Sequence, residues 1–197
     1  YEISKKMDSR SSIMISLGNM ALIDNIRGKY TLALNKFNEI LINSEDINDT
    51  MNICRTYGNI GIAYKNLGEY NDAVENFEIQ LSISKQSGFK GQNGFALINM
   101  GIAYHKKGDF RKSSKCYIDA EKAISRIKDT NAQSLLYGNR ATLFIDEGKL
   151  DEALDEFIKS KELFSKLENL RGVSLADMKI AEIHMMKDEC EKAKSTR

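Results

Sequence analysis

The stretch GIAYKNLGEY (residues 61–70) returns 40 residues later as GIAYHKKGDF (residues 101–110). The agreement is not confined to that pair. Sliding the chain against itself by 40 residues brings Asn19, Asn59, Asn99 and Asn139 into one column. Two residues on stand Ala21, Gly61, Gly101 and Ala141, all small, and five residues on Asp24, Tyr64, Tyr104 and Phe144. A glycine column follows (Gly28, Gly68, Gly108, Gly148), then a small column (Ala33, Ala73, Ser113, Ala153) and an aromatic column (Phe37, Phe77, Tyr117, Phe157). Four blocks keep these columns without a gap. A fifth is degenerate, with Lys179 in the Asn column, Ala181 and Ala193 in the small columns, His184 for the aromatic and Asp188 for the glycine.

Each column has a physical reason. Tyr57, Ile60, Gly61 and Tyr64 fall at i, i+3, i+4 and i+7, one face of an α-helix. Gly68 supplies the left-handed conformation that ends this helix. A second amphipathic run follows in Tyr70, Ala73, Val74, Phe77 and Leu81. Gly61 and Ala73 are small because two antiparallel helices approach closely there, and Tyr64 and Phe77 fill the space beside them. The unit is a helical hairpin that cannot bury its apolar side alone, so hairpins must stack. The boundaries predicted are 10–49, 50–89, 90–129 and 130–169 for four repeats and 170–197 for a truncated fifth. Residues 1–9 (YEISKK aligns with LSISKQ at 81–86) read as the tail of a preceding second helix. Both ends fall within a repeat, so a segment of a longer chain is expected.

The residues of this pattern also carry a family resemblance. Tyr57-x2-Ile60-Gly61-x2-Tyr64, then Ala73 and Phe77, resembles the tetratricopeptide signature W-x2-L-G-x2-Y followed by A-x3-F. The period is 40 where about 34 is usual. Leu17, Tyr57, Leu97 and Tyr137 take the Trp position, and no proline closes the repeat. The longer period is similar to that of kinesin light chains, cortical polarity adaptors of the Pins type and many bacterial signalling proteins. The resemblance implies an all-α fold: a right-handed α-solenoid of stacked antiparallel helix pairs, its first helices lining the concave side.

On each first helix, the stripe opposite the packing columns contains the Asn column and the positions four before, three after and seven after it. It comprises Ile15, Arg55, Phe95 and Leu135; Asn19, Asn59, Asn99 and Asn139; Leu22, Ile62, Ile102 and Thr142; and Ile26, Asn66, Lys106 and Asp146. A row of side-chain amides offers donor and acceptor to an extended peptide, and apolar neighbours would select its side chains. The residues expected to line a peptide-binding groove are Asn19, Asn59, Asn99, Asn139, Arg55, Phe95, Ile62, Ile102, Asn66 and Lys106. The same amides could instead bond to the neighbouring repeat and hold the stack, and the sequence leaves both roles open.

Composition narrows the function. Lys plus Arg number 29 and Asp plus Glu 28, a net charge of +1 without the basic excess of a nucleic-acid binder. No apolar run approaches the ~18 residues that would span a bilayer. Cys54, Cys116 and Cys190 form no CxxC pair, so neither a disulfide framework nor a metal site is expected, and a reducing cytoplasm is. His105 and His184 lie in different repeats, at helix surfaces or edges, and no set of residues converges as catalysis requires. The glycines of GFKGQNG (88–94) follow a helix and lack the Lys-Ser/Thr of a phosphate loop, so they form a linker. The expectation is a protein-interaction scaffold, not an enzyme, with no cofactor, a protein or peptide partner, and neither nucleic acid nor membrane. The alternative is the sensory or regulatory segment of a larger kinase, cyclase or transcription regulator. The uncapped fifth block adds an expectation of self-association through the C-terminal end.

Overall fold

The computed structural model describes residues 2–125 and 127–195, with side chains described for 12–125 and 127–189; Cys190 and Ala193 fall outside the latter. Among the described residues the chain forms nine α-helices and no strand. They are α1 (Glu2–Ile26), α2 (Tyr30–Asp46), α3 (Thr50–Leu67), α4 (Tyr70–Gln86), α5 (Lys90–Lys106), α6 (Phe110–Ser125), α7 (Thr130–Asp146), α8 (Leu150–Lys166) and α9 (Leu170–Ser195). The first helices α3, α5, α7 and α9 begin at residues 50, 90, 130 and 170, and the second helices at 30, 70, 110 and 150.

The glycines that punctuate the sequence make the turns within hairpins: Gly28, Gly68, Gly108 and Gly148 have φ between 74° and 91°. The turns between hairpins need the same conformation, and there the chain manages with Asn48, Gly88, Lys128 and Glu168. A left-handed Lys or Glu costs roughly 1–2 kcal/mol, which the packing on either side offsets. Local capping helps at three of these turns. Asp49, Asp129 and Asn169 accept hydrogen bonds from the backbone N–H three residues on.

One boundary read from the sequence is corrected. Residues 1–9 were expected to end a preceding second helix, but α1 runs unbroken from Glu2 to Ile26. At the other end α9 likewise continues through Asp188, where earlier repeats hold a glycine.

Within each hairpin a small residue lies against an aromatic ring sixteen residues later. A Cβ on Gly61 would lie 2.5 Å from Phe77 Cε1, and one on Gly101 2.4 Å from Tyr117 Cε1. Ala21 with Phe37 and Ala141 with Phe157 occupy the same positions, all buried. The core is a series of clusters, not one centre. Ala21, Phe37 and Ile60 join α1, α2 and α3. Phe77, Met100 and Cys116 join α4, α5 and α6. Tyr117, Ile124 and Leu136 join α6 to α7, and Phe157, Ala176 and Ile183 join α8 to α9. Each hairpin therefore closes its apolar side against the first helix of the next repeat, which makes the array an α-helical solenoid. First helices also pack directly on one another, α3 on α5 and α5 on α7, whereas no comparable packing joins successive second helices. The first helices form the inner face.

The fourth repeat departs from the apolar pattern. Arg140 stands where the earlier repeats hold Met20, Ile60 and Met100. Its Nε donates to Glu156 Oε2 and its Nη1 to Glu121 Oε2, both at 2.8 Å. Lys159 Nζ adds a third contact at 3.0 Å to Glu156. The three elements α6, α7 and α8 thus meet at one guanidinium. Arg140→Met should cost on the order of 3 kcal/mol, because Glu156 is left buried with one rim partner. Arg140→Met with Glu156→Met should recover most of it, read by urea denaturation. At the hairpin contact, Gly61→Val should lower stability by about 3 kcal/mol through overpacking against Phe77. Val at the open position Gly91, where a Cβ meets nothing within 4 Å, is the matched control in the same assay.

Candidate functional site

The stripe read from the sequence lies on the inner face, and the structure gathers parts of it into crevices between successive first helices. A crevice of about 250 Å³ between α1 and α3 is lined by Ile15, Asn19, Leu22, Arg55 and Asn59. One of about 280 Å³ between α3 and α5 brings together Arg55, Asn59, Ile62, Phe95 and Asn99. A third, between α7 and α9, holds Leu135, Asn139, Thr142 and Lys179. Arg55 and Asn59 line both of the first two, so these form one continuous surface.

The Asn column is placed by the packing on the other side of the helix. With Gly61 and Gly101 pressed on rings, the residue two positions earlier on each helix is turned towards the inner face. Among the described residues, the side chains of Asn19, Asn59 and Asn99 form no hydrogen bond to the stack. Asn139 differs: its Nδ2 donates to the Leu135 carbonyl of its own helix at 2.7 Å. Other helix amides behave like Asn139, Asn43 and Asn76 both returning to the carbonyl four residues back.

The remaining expected residues divide. Arg55 is exposed and forms no ion pair among the described residues, and Lys106 is exposed as well. Phe95 and Ile102 are half-buried, packed against the cluster around Tyr117, and Ile62 against that around Phe77. These three present an edge to the inner face and also hold the core. Asn66 has an architectural bond, its Nδ2 donating to Asn25 Oδ1 of the preceding repeat at 3.2 Å.

That last bond belongs to a position the sequence does not announce. Residues 41 apart meet at the end of successive first helices, and in the next repeats this places His105 Nε2 2.6 Å from Asp146 Oδ2. The His105 ring stands edge-on to Phe110 at 5.6 Å and its side chain is only 9% exposed. Sequence reading had placed this histidine at a surface or edge; it ties α5 to α7. Burial pushes the ammonium of Lys65 below the ordinary lysine range and the Cys54 thiol above the ordinary thiol range. Cys54 and Cys116 are free and buried.

Sequence reading also missed the floor of the α3–α5 crevice. Gln80 of α4 and Gln92 of α5 line it beside Gly58. A size relation between columns was the available signal. Gly18 faces Ile40, Gly58 faces Gln80 and Gly138 faces Ser160, while Ile98 falls in the same register as Ala120. Among the described residues no group of three His, Cys, Asp or Glu side chains could hold a metal ion, and no helix is long and apolar enough to cross a membrane.

Residues 52–126 match the tetratricopeptide repeat family model. Photosystem I assembly protein Ycf3 of Prochlorococcus marinus is 31% identical over 111 residues, covering 56% of this chain and 62% of that protein. The chain thus spans less than two thirds of the length of that curated relative. A Podosopora anserina putative kinesin light chain with nearly identical TPR-like repeats superposes with a TM-score of 0.65 at 14% identity, over 93% of this chain and 91% of that one. A Rap protein complexed with Competence and Sporulation Factor does so with a TM-score of 0.61 at 18% identity, over 95% of this chain and 56% of that one. At these identities the structural likeness speaks for the fold. Residues 52–126 are thus similar to the tetratricopeptide repeat family, and the helix pairs on either side share the fold of the solved repeat proteins.

Proposed function

We propose that this chain is a protein-interaction scaffold that receives an extended peptide segment of its partner on the inner face of α1, α3 and α5. The observation that carries the reading is the row of Asn19, Asn59 and Asn99, whose amides face the crevices and do not bond to the stack. A free side-chain amide pairs with the N–H and C=O of an extended backbone, and Phe95 and Ile62 offer apolar edges for the segment's side chains. Arg55 adds a positive charge at the point where two crevices meet. The family supports a binding role over a catalytic one, and the solved Rap complex is a likeness in fold to a protein that holds a factor. The free, buried thiols of Cys54 and Cys116 suit a reducing cytoplasm.

The test is retention of a soluble random-peptide library on the immobilised chain, compared with the variant Asn59→Ala/Asn99→Ala. The variant should retain peptides only at background, with a melting temperature within about 2 °C of the parent. Unchanged retention would place the binding surface elsewhere. A collapse in melting temperature would make the amides part of the stack.

A further inference from the structure

We propose that the crevice between α3 and α5 is a specificity pocket for a single amide side chain, Asn or Gln, carried by a peptide with an acidic residue within two positions of it. This rests on the binding role above and names the chemistry of the partner.

The pocket floor is Gln80, which reaches the inner face from α4, a second helix. It does so because residue 58 has no side chain: a Cβ there would lie 2.6 Å from Gln80 Nε2. Gln80 is only 4% exposed. Its Nε2 donates to Gln92 Oε1 at 3.1 Å, and its Oε1 is buried without a partner. Leaving a buried acceptor unpaired is unfavourable, and groups of this kind are rare in folded proteins. Gln80 itself lines an open crevice of about 280 Å³, so a side chain that enters it meets the residue carrying the unpaired atom.

The other repeats do not reproduce this floor. Ile40 takes the position under Gly18, and Ala120 shares its register with Ile98. Ser160 lies under Gly138 with its hydroxyl already donating to the Ser134 carbonyl at 2.8 Å. Among the described residues of four similar hairpins, one crevice has an unpaired amide for its floor, near the middle of the array. That is the arrangement for reading one anchor residue within a segment otherwise held by its backbone.

An amide is the complementary group. Its NH2 donates to Gln80 Oε1 while its carbonyl accepts from the free NH2 of Gln92 or Asn59. Because it carries both donor and acceptor, it pairs with the Gln80–Gln92 couple in either orientation of those amides. A carboxylate would set an anion against the unpaired oxygen, and an aliphatic side chain would leave that oxygen buried and unpaired. The acidic neighbour follows from Arg55, which lines the same crevice from an exposed position. A planar guanidinium without an ion pair matches a carboxylate in a bidentate geometry. Phe95 and Ile62 close the sides with apolar surface.

The experiment is selection of a random heptapeptide phage library on the full chain, followed by fluorescence anisotropy with one enriched, labelled peptide. Enriched sequences should share Asn or Gln with Asp or Glu within two positions. Gln80→Met should weaken the peptide about tenfold, the loss of one well-made hydrogen bond, with the melting temperature unchanged or raised. Gly58→Ala, which closes the window over Gln80, should weaken it as much. Replacing the peptide's amide residue by Ala should cost the same in the parent and nothing further in Gln80→Met; its parent arm does not depend on how either variant folds. A consensus without an amide, or an affinity indifferent to the peptide's amide, would overturn the pocket. If Asn59→Ala/Asn99→Ala then still abolished binding, the scaffold reading would survive alone. If no peptide were enriched over an empty-support selection, both would fall.

Discussion

In each hairpin a ring packs on a small residue of the first helix, and in two of them that residue is a glycine. Phe77 lies against Gly61 and Tyr117 against Gly101 at distances that leave no room for a Cβ. Once that contact is made, the rest of the geometry has little freedom. The two helices are held at a fixed separation, and the glycine turn that joins them sets their order. The apolar residues beside the ring project towards the following repeat. Burial of one such aromatic side chain is worth about 2–3 kcal/mol. It is complete only when the next first helix arrives, as Ile60 does beside Phe37 or Met100 beside Phe77. The stack is the condition under which any one hairpin is stable.

The same contact produces the surface proposed above for binding. A first helix with its small residue pressed inward must turn the residue two positions earlier to a different face. In four successive repeats that residue is asparagine. Three of the four amides are left without a bond to the stack, and in the fourth the helix's own carbonyl takes the role. The first helices stand close together while the second helices spread, so the free amides converge on one inner face. Departures from the repeat are where the proposed specificity arises. A glycine at 58 where repeat three has Ile98, and a glutamine at 80 where it has Ala120, open one floor that carries an unpaired amide.

The helices, their pairing and their turns were legible in the sequence because the columns repeat, and repetition makes a weak signal strong. A close helix approach at Gly61 was read from spacing, but against Ala73, and the structure lays Phe77 there. What the columns could not show was any contact between different columns. Gln80 lies on a second helix, outside the stripe that helical periodicity assigns to the groove, and only the missing side chain at Gly58 brings it through. The His105–Asp146 pair joins positions 41 apart, one out of register with the repeat, and in the preceding repeats the same place holds Asn25 with Asn66 and Lys65 with Lys106. Arg140 with Glu121 and Glu156 is similarly invisible, since each residue singly looks like a helix-surface charge.

The chain holds two kinds of asparagine, those engaged by their own helix and those left open to the inner face. Side-chain NH2 resonances in a nitrogen-15 correlation spectrum distinguish them directly during titration with a peptide that the chain binds. The pairs of Asn19, Asn59 and Asn99 should move with saturation, while those of Asn43, Asn76 and Asn139 stay in place. Movement confined to Asn43 and Asn76, on the second helices, with Asn59 and Asn99 unmoved, would put the partner on the other side of the array and contradict the account.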